Sequence, residues 1–387
     1  MARSEPSTLI HGATLITDGH LTPDAWVRFE GSRVAATGTG RTWSGADAVL
    51  DAEGAWLTPG FVDIHCHGGA GASFDEGPDA IAAALALHEQ HGTTRSVLSL
   101  VSAPIDLLAE RLSAIAELAS RDGRILGSHL EGPFLDPGHK GAHDPAALQS
   151  PTAEAIPALL AAARGSLQQV TLAPELPGGL AAVRAFTEAR VAVAIGHTDA
   201  DYDEALSAIA AGATLLTHAY NAMNGVHHRA PGPVAAATRS RGVTLEVVND
   251  GIHVHPEVVR MLFAAAPGRV AMVTDAMAAA GACDGAYELG GLAVNVKEGV
   301  ARLAEGGAIA GSTLTLDTAL RRAVHEVGIP IQDAAQAITQ TPAAALGLGR
   351  QYGSLTRGHA ADAVLLDPEF NILAVWRDGQ PLGGVHC

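Results

Sequence analysis

The chain carries 18 histidines, more than its 4 tryptophans, 4 tyrosines and 7 phenylalanines together, and several sit at spacings that suit metal chemistry. His65 and His67 are two apart in an apolar run, so on a strand both imidazoles point to one side and Cys66 to the other. His129 and Glu131 repeat that spacing, His197 and His218 each close a separate apolar run, and Asp275 closes another. Imidazoles and a carboxylate brought together from different strands bind a divalent cation. Glu131, His197 and His218 would supply three protein ligands and leave a position open for water, the arrangement of a catalytic rather than a structural metal. His65 and His67 read as a second metal site, as part of the first, or as polar lining. His129 reads as a residue behind the ligands or as a packing group. Asp275 has no basic neighbour in sequence; it could take a proton from water and return it to a leaving group, or cap a helix.

The elements that would position these residues alternate. Apolar runs suited to buried parallel strands occur at 61–67, 93–101, 125–131, 170–174, 191–197, 215–220, 245–250 and 270–275, with helical stretches such as 79–91, 107–119, 181–189, 203–211 and 256–265 between them. Eight such units predict an α/β fold, a (β/α)8 TIM-type barrel, with a doubly wound open sheet as the other arrangement of this alternation. Barrel chemistry collects at the C-terminal ends of the strands, and the polar and ionisable residues fall there on six of the eight runs. Both chain ends instead hold short β-segments split by turns such as Asp18-Gly19 and Asp378-Gly379, which predicts a small β-sandwich domain formed by both termini. The expected bounds are 1–57 with 347–387 for that domain and 58–346 for the catalytic barrel, with a glycine-punctuated hairpin-like insert around 286–310.

Only two lysines are present, Lys140 and Lys297, and neither ends a strand. A carboxylated lysine, the bridge in many two-metal hydrolases of this architecture, is therefore excluded. The fourth run reads Val170-Thr171-Leu172-Ala173-Pro174-Glu175, so Glu131 is the main acidic ligand and Glu175 a distant second.

The segment Leu57-Thr58-Pro59-Gly60-Phe61-Val62-Asp63-Ile64-His65-Cys66-His67 resembles the opening of the amidohydrolase superfamily. Gly127-Ser128-His129-Leu130-Glu131-Gly132-Pro133-Phe134, Ala194-Ile195-Gly196-His197-Thr198 and Thr217-His218-Ala219-Tyr220-Asn221-Ala222-Met223 resemble, within it, the family of N-acetylglucosamine-6-phosphate deacetylases. Val248-Asn249-Asp250-Gly251-Ile252-His253, Val273-Thr274-Asp275-Ala276-Met277 and Ala310-Gly311-Ser312-Thr313-Leu314 follow in the same order. The resemblance implies Glu131, His197 and His218 as metal ligands, Asp275 as general acid and base, and one or two ions per subunit, Zn²⁺ with Fe²⁺ as the alternative. With His65 and His67 both present, a two-metal centre is open. It also implies sugar and phosphate contacts from Ala142, His143, Asn221, Ala222, Arg229, Asp250, Gly251, Ile252, His253, Ile309, Ala310 and Gly311, and a homodimer in which a cationic group can serve the neighbouring subunit. The activity implied is hydrolysis of the acetamido group of N-acetyl-D-glucosamine 6-phosphate, in amino-sugar catabolism and cell-wall sugar recycling. An amidohydrolase acting on an N-acyl amino acid or cyclic amide is the alternative, and an inactive sugar-phosphate-binding regulator is the alternative of another class.

Composition bounds the partners. The charge is 24 − 41 = −17, which argues against nucleic acid and means that an anionic sugar must be held by local cations such as Arg229 and His253, each otherwise a solvated loop charge. Ser312 and Thr313 suit a helix cap as well as a ligand contact. No apolar run is long enough to span a bilayer, no signal peptide is expected, and three scattered cysteines (Cys66, Cys283, Cys387) fit a cytoplasmic enzyme without a disulfide framework.

Overall fold

In a computed structural model, residues 5–383 are described; Cys387 lies outside them. Eight strands form one parallel sheet in sequence order: Phe61–Cys66, Thr93–Val101, Ile125–Glu131, Leu167–Leu172, Ala192–Ile195, Leu215–Leu216, Thr244–Val248 and Val270–Val273. The two ends of this path meet where the Asp275 N–H donates to the His65 carbonyl at 2.8 Å. The fold is the (β/α)8 barrel. Its strands are buried almost throughout, Thr93–Val101 at every residue, as parallel strands covered on both faces must be.

Connecting helices begin where the sequence supplies caps. Asp201 accepts the N–H groups of Asp203 and Glu204, while Glu204 reaches back to the Asp201 N–H, starting Tyr202–Ala211; Gly212 ends it. His255 and Pro256 start Pro256–Ala265 in the same region of the chain that carries Asp250 and His253. Two further helices are Gly232–Arg239 and Ala155–Ala163, the second of which has no polar residue to set off an apolar face.

A second eight-stranded sheet is drawn from both chain ends, with Trp56–Pro59 lying between Ser7–Thr17 and Ala363–Leu366. Its core includes Ile10, Val27, Phe29, Leu57, Leu365 and Trp376. The glycine-punctuated segment folds as a three-stranded antiparallel sheet, Gly285–Leu289, Leu292–Lys297 and Val300–Leu303, with Leu289, Val294 and Val296 packed on Val101 and Met277. Contacts divide the chain into two compact units. One takes in the residues up to Val62, His88–Arg95 and those from Leu316 onward; the other takes in Asp63–Leu87 and Ser96–Thr315. No helix among the described residues is long and apolar enough to cross a membrane.

Candidate metal centre and active site

Six of the strand-end residues, His65, His67, Glu131, His197, His218 and Asp275, meet within the second unit. Strand geometry alone would continue through His197, His218 and Asp275, but each turns into left-handed backbone, with φ of 48°, 23° and 49°. Tyr220 and Ala222 do the same, at 78° and 48°. Left-handed backbone costs a non-glycine residue of order 1–3 kcal/mol and persists where the surroundings over-determine it, which is common at functional sites. This turn is also why the fifth and sixth strands stop at Ile195 and Leu216, short of the expected 197 and 220.

Two groups of side chains result, each with its ligand atoms within 4.8 Å of one another: Glu131, His197 and His218, and His65, His67 and Asp275. The His197 and His218 Nε2 atoms lie 3.2 and 3.0 Å from Glu131 Oε1 and 3.1 Å from each other. The His65 and His67 Nε2 atoms lie 3.2 Å apart and 3.6 and 3.3 Å from Asp275 Oδ1. Glu131 stands between the groups, with Oε1 3.4 Å from His65 Nε2 and Oε2 3.2 Å from His67 Nε2. All six side chains are buried.

This donor set fits a divalent ion on its own chemistry. Four imidazole nitrogens are turned in facing pairs toward two buried carboxylates, a packing that needs shared positive charge at its centre. Without an ion, protons would have to supply that charge. Burial opposes it, but Glu131 and Asp275 outweigh burial and raise the pKa of His65 well above the ordinary histidine value. His67 is likewise pushed up to about 10, burial opposing and the bonds to Asp275 and Glu131 prevailing. Burial would raise both carboxyls, yet the His65 charge, joined by His67 for Asp275 and by His143, His197 and His218 for Glu131, holds each well below the carboxylate range. Both are therefore anionic at neutral pH. On the far side of the rings, His197 Nδ1 meets the His139 carbonyl at 2.8 Å and His65 Nδ1 meets Glu246 Oε2 at 3.0 Å. Such hydrogen bonds fix which nitrogen faces a metal.

His129 takes no part in either group. Its Nδ1 is held by Ser99 Oγ and its Nε2 by Thr171 Oγ1, each at 2.9 Å, and its ring packs edge-on to His65. Burial, reinforced by the His65 charge, holds it well below the ordinary pKa, so it stays neutral. Glu175 accepts from Thr198 Oγ1 and the Asp199 N–H and reaches neither group.

A cavity of about 320 Å³ opens over the carboxylates, lined by His67, Glu131, His197, His218 and Asp275 at its base. Ala142, His143, Asn221, Ala222, His253, Ile309 and Gly311 line its walls, together with Val101, Gly138, His139, Gly141, Leu289 and Ala308. Asp250 lies behind His253, accepting from its Nδ1 at 2.7 Å, while Gly251, Ile252 and Ala310 are not on the wall. Arg229 lines a separate hollow with Tyr202, Asn224 and His227, its guanidinium 2.7 Å from His228 Nε2. Ser312 Oγ donates to the Thr274 carbonyl and accepts the Leu314 N–H, a turn-forming role.

A family model described as the amidohydrolase family matches residues 56–382. The chain belongs to the amidohydrolase family. Among curated relatives, this amidohydrolase is 38% identical to an N-acetylgalactosamine-6-phosphate deacetylase of Escherichia coli O157:H7, over 86% of this chain and 89% of that one. It is 36% identical to an N-acetylglucosamine-6-phosphate deacetylase of Vibrio furnissii, over 84% and 82%. Among solved structures it resembles a mutant N-acetyl-D-glucosamine-6-phosphate deacetylase from Mycobacterium smegmatis in complex with N-acetyl-D-glucosamine-6-phosphate, with a TM-score of 0.93 and 40% identity over 97% of this chain and 99% of that one.

Several residues of this amidohydrolase site were not singled out from sequence. Glu246 and Gln169 are charged or polar residues fully buried inside barrel strands, an anomaly visible in Leu245-Glu246-Val247-Val248. Leu289 and Ala308, in and beside the antiparallel insert, gave no chemical signal, because an apolar wall residue looks like core.

Proposed function

We propose that this amidohydrolase removes the acetyl group from N-acetyl-D-glucosamine 6-phosphate, giving glucosamine 6-phosphate and acetate. The observation that carries the reading is the meeting of four imidazoles on Glu131 and Asp275 at the floor of a cavity, in a chain whose relatives act on N-acetylhexosamine 6-phosphates. Glu131, His197 and His218 would hold one divalent ion, and His65, His67 and Asp275 a second, with Zn²⁺ favoured by the histidine and carboxylate donors. An ion bound there supplies Lewis-acid activation of water and polarisation of the amide carbonyl.

The chain's own residues account for the rest. Asp275 is ionised and reaches into the cavity, so it can accept the proton of the attacking water and then deliver it to the departing amine. His143 is pushed down to about 4, burial outweighing its contact with Glu131, and is therefore neutral. Its Nδ1 accepts the Ser102 N–H at 3.2 Å, so its proton resides on Nε2, 3.4 Å from Glu131 Oε2 at the cavity lining, where it could turn to donate to the carbonyl oxygen. Burial disfavours a charge on His253, but Asp250 outweighs that and raises its pKa, which favours the protonated form suited to the phosphate or sugar hydroxyls. The aliphatic side chains of Val101, Leu289 and Ile309 give the cavity an apolar wall for the acetyl methyl.

The proposed assembly is a homodimer in which Arg229, outside its own chain's cavity, serves a neighbouring subunit. The cytoplasm is the proposed compartment, supported by buried Cys66 and exposed Cys283, which stand as thiols and not in a disulfide. The proposed domain limits remain 1–57 with 347–387 and 58–346. The test is acetate release from the glucosamine and galactosamine epimers of the N-acetylhexosamine 6-phosphate, and from the unphosphorylated sugar, on metal-analysed protein with and without chelator. Chelator-sensitive turnover favouring the phosphorylated glucosamine epimer is expected. Preference for the galactosamine epimer would move the substrate and keep the chemistry; no acetate from a metal-loaded protein would overturn the reading.

A further inference from the structure

We propose that Glu246 is a positioning residue that, through His65, turns the His65, His67 and Asp275 group into a site for a second divalent ion. The inference rests on the metal-centre reading above and extends it to a residue of the seventh strand that reaches neither the cavity nor the reacting atoms.

Glu246 is the one charged residue of Thr244–Val248 and has no solvent exposure. A buried carboxylate persists only when its oxygens are matched by donors. Here Oε1 accepts from Gln169 Nε2 at 2.6 Å, and Oε2 faces His65 Nδ1 at 3.0 Å and the His218 N–H at 3.4 Å. Gln169 and the His218 backbone donate to Glu246 in these contacts, and as an ionised carboxylate Glu246 accepts from His65 too, with the His65 proton on Nδ1. The His65 Nε2 lone pair is then committed to the side where His67, Glu131 and Asp275 converge. A carboxylate behind a ligating imidazole also makes it a stronger donor.

The two groups differ in this respect. In the other group the corresponding role falls to the neutral carbonyl of His139, behind His197. His67 and His218 have no hydrogen-bond partner on Nδ1, so one histidine in each group is oriented from behind. Glu246 is thus the charged support, and it serves the first-strand group alone through a side chain. It sits one layer beneath the cavity floor, so its effect on catalysis runs through the ion.

The test is metal stoichiometry and affinity, by elemental analysis and chelator competition, in the wild-type protein, Glu246→Leu and Glu246→Gln. The wild type should hold two ions per chain; fewer would overturn the two-group reading and this inference with it. Glu246→Leu, which removes the acceptor, should retain one ion. Glu246→Gln keeps an acceptor for His65, and Gln169 can turn its unpaired Oε1 to meet the new amide. It should restore the second ion with an affinity reduced about 10- to 100-fold while the tighter site is unchanged. Two ions at wild-type affinity in both variants, or an equal weakening of both sites in Glu246→Gln, would overturn the proposal. The second of these outcomes would mark Glu246 as a structural residue only.

Discussion

Replacing Asp275 by asparagine isolates the proton-transfer role from the fold. Asparagine is among the few residues that tolerate left-handed backbone, so the φ of 49° is kept. The hydrogen bonds of the Asp275 N–H to His65 and of the Ser312 N–H to the Asp275 carbonyl, at 2.8 and 2.7 Å, belong to the backbone and survive as well. What is lost is one negative charge, 3.3 Å from His67 Nε2 and 3.6 Å from His65 Nε2. General acid–base catalysis contributes about 10²- to 10⁴-fold, or about 3–5 kcal/mol of barrier at about 1.4 kcal/mol per tenfold. The same charge loss weakens the group that includes His65 and His67, but not Glu131, His197 and His218, which do not include Asp275. The assay is therefore kcat for acetate release at saturating metal, with bound metal counted on the same sample. A loss of about 10³-fold at full occupancy is expected. A metal-replete variant within about tenfold of wild type would refute the assignment. The wild-type pH profile gives a second check. The positive charge at the centre, carried by protons on His65 and His67 in the bare site and by an ion when one is bound, holds the Asp275 carboxyl low, so no loss of activity from this group is expected between pH 8 and the ordinary carboxylate range near 3.9.

Other substitutions test the walls and the support. His143→Leu removes the neutral donor and should lower kcat about 10²-fold with bound metal unchanged; a loss confined to KM would assign His143 to binding alone. Asp250→Asn keeps the oxygen that accepts the Ile252 and His253 N–H groups and deletes the charge beside His253, costing about 2 kcal/mol. Because the folded His253 pKa is raised from 6.5 and that of Asp250 lowered from 3.8, this contribution is complete between those values. It is lost as pH rises through the raised histidine value or falls through the lowered carboxyl value, so the Tm gap between variant and wild type should narrow toward pH 9; a gap constant with pH contradicts the pairing. Gly141 has φ of 55° and an added Cβ would lie 2.9 Å from His197 Cε1. Gly141→Ala should thus cost about 1–2 kcal/mol in stability and weaken metal at the Glu131 group, read by calorimetry and chelator competition. Unchanged metal affinity would show that the loop yields rather than the imidazole.

The barrel and its strand-end residues were legible because two strong constraints coincide in the sequence. Buried parallel strands demand continuous apolar runs, so a histidine or carboxylate that closes such a run stands out, as His65, Glu131 and Asp275 do. Strand limits were less legible at His197 and His218, where tertiary packing holds left-handed backbone that no propensity favours. Helices such as Ala155–Ala163 were missed because alanine carries little amphipathic contrast. The role of Leu289 depends on an antiparallel insert folding back on the barrel unit, a long-range contact that local pattern does not encode.

Glu246 shows where the sequence signal could have been read further. A lone carboxylate within an apolar strand is energetically improbable unless buried donors await it, and three do. The same reasoning separates His129 from the other histidines of the barrel: both its nitrogens are engaged by hydroxyls, so neither is free for an ion, although its spacing to Glu131 copies that of His65 to His67. Spacing selects the side of the strand; the partner on the far nitrogen decides whether the imidazole serves the ion or the core. Since the partners of His65 and His129 come from other strands, the distinction between the two is written in the assembly of the barrel rather than in either motif.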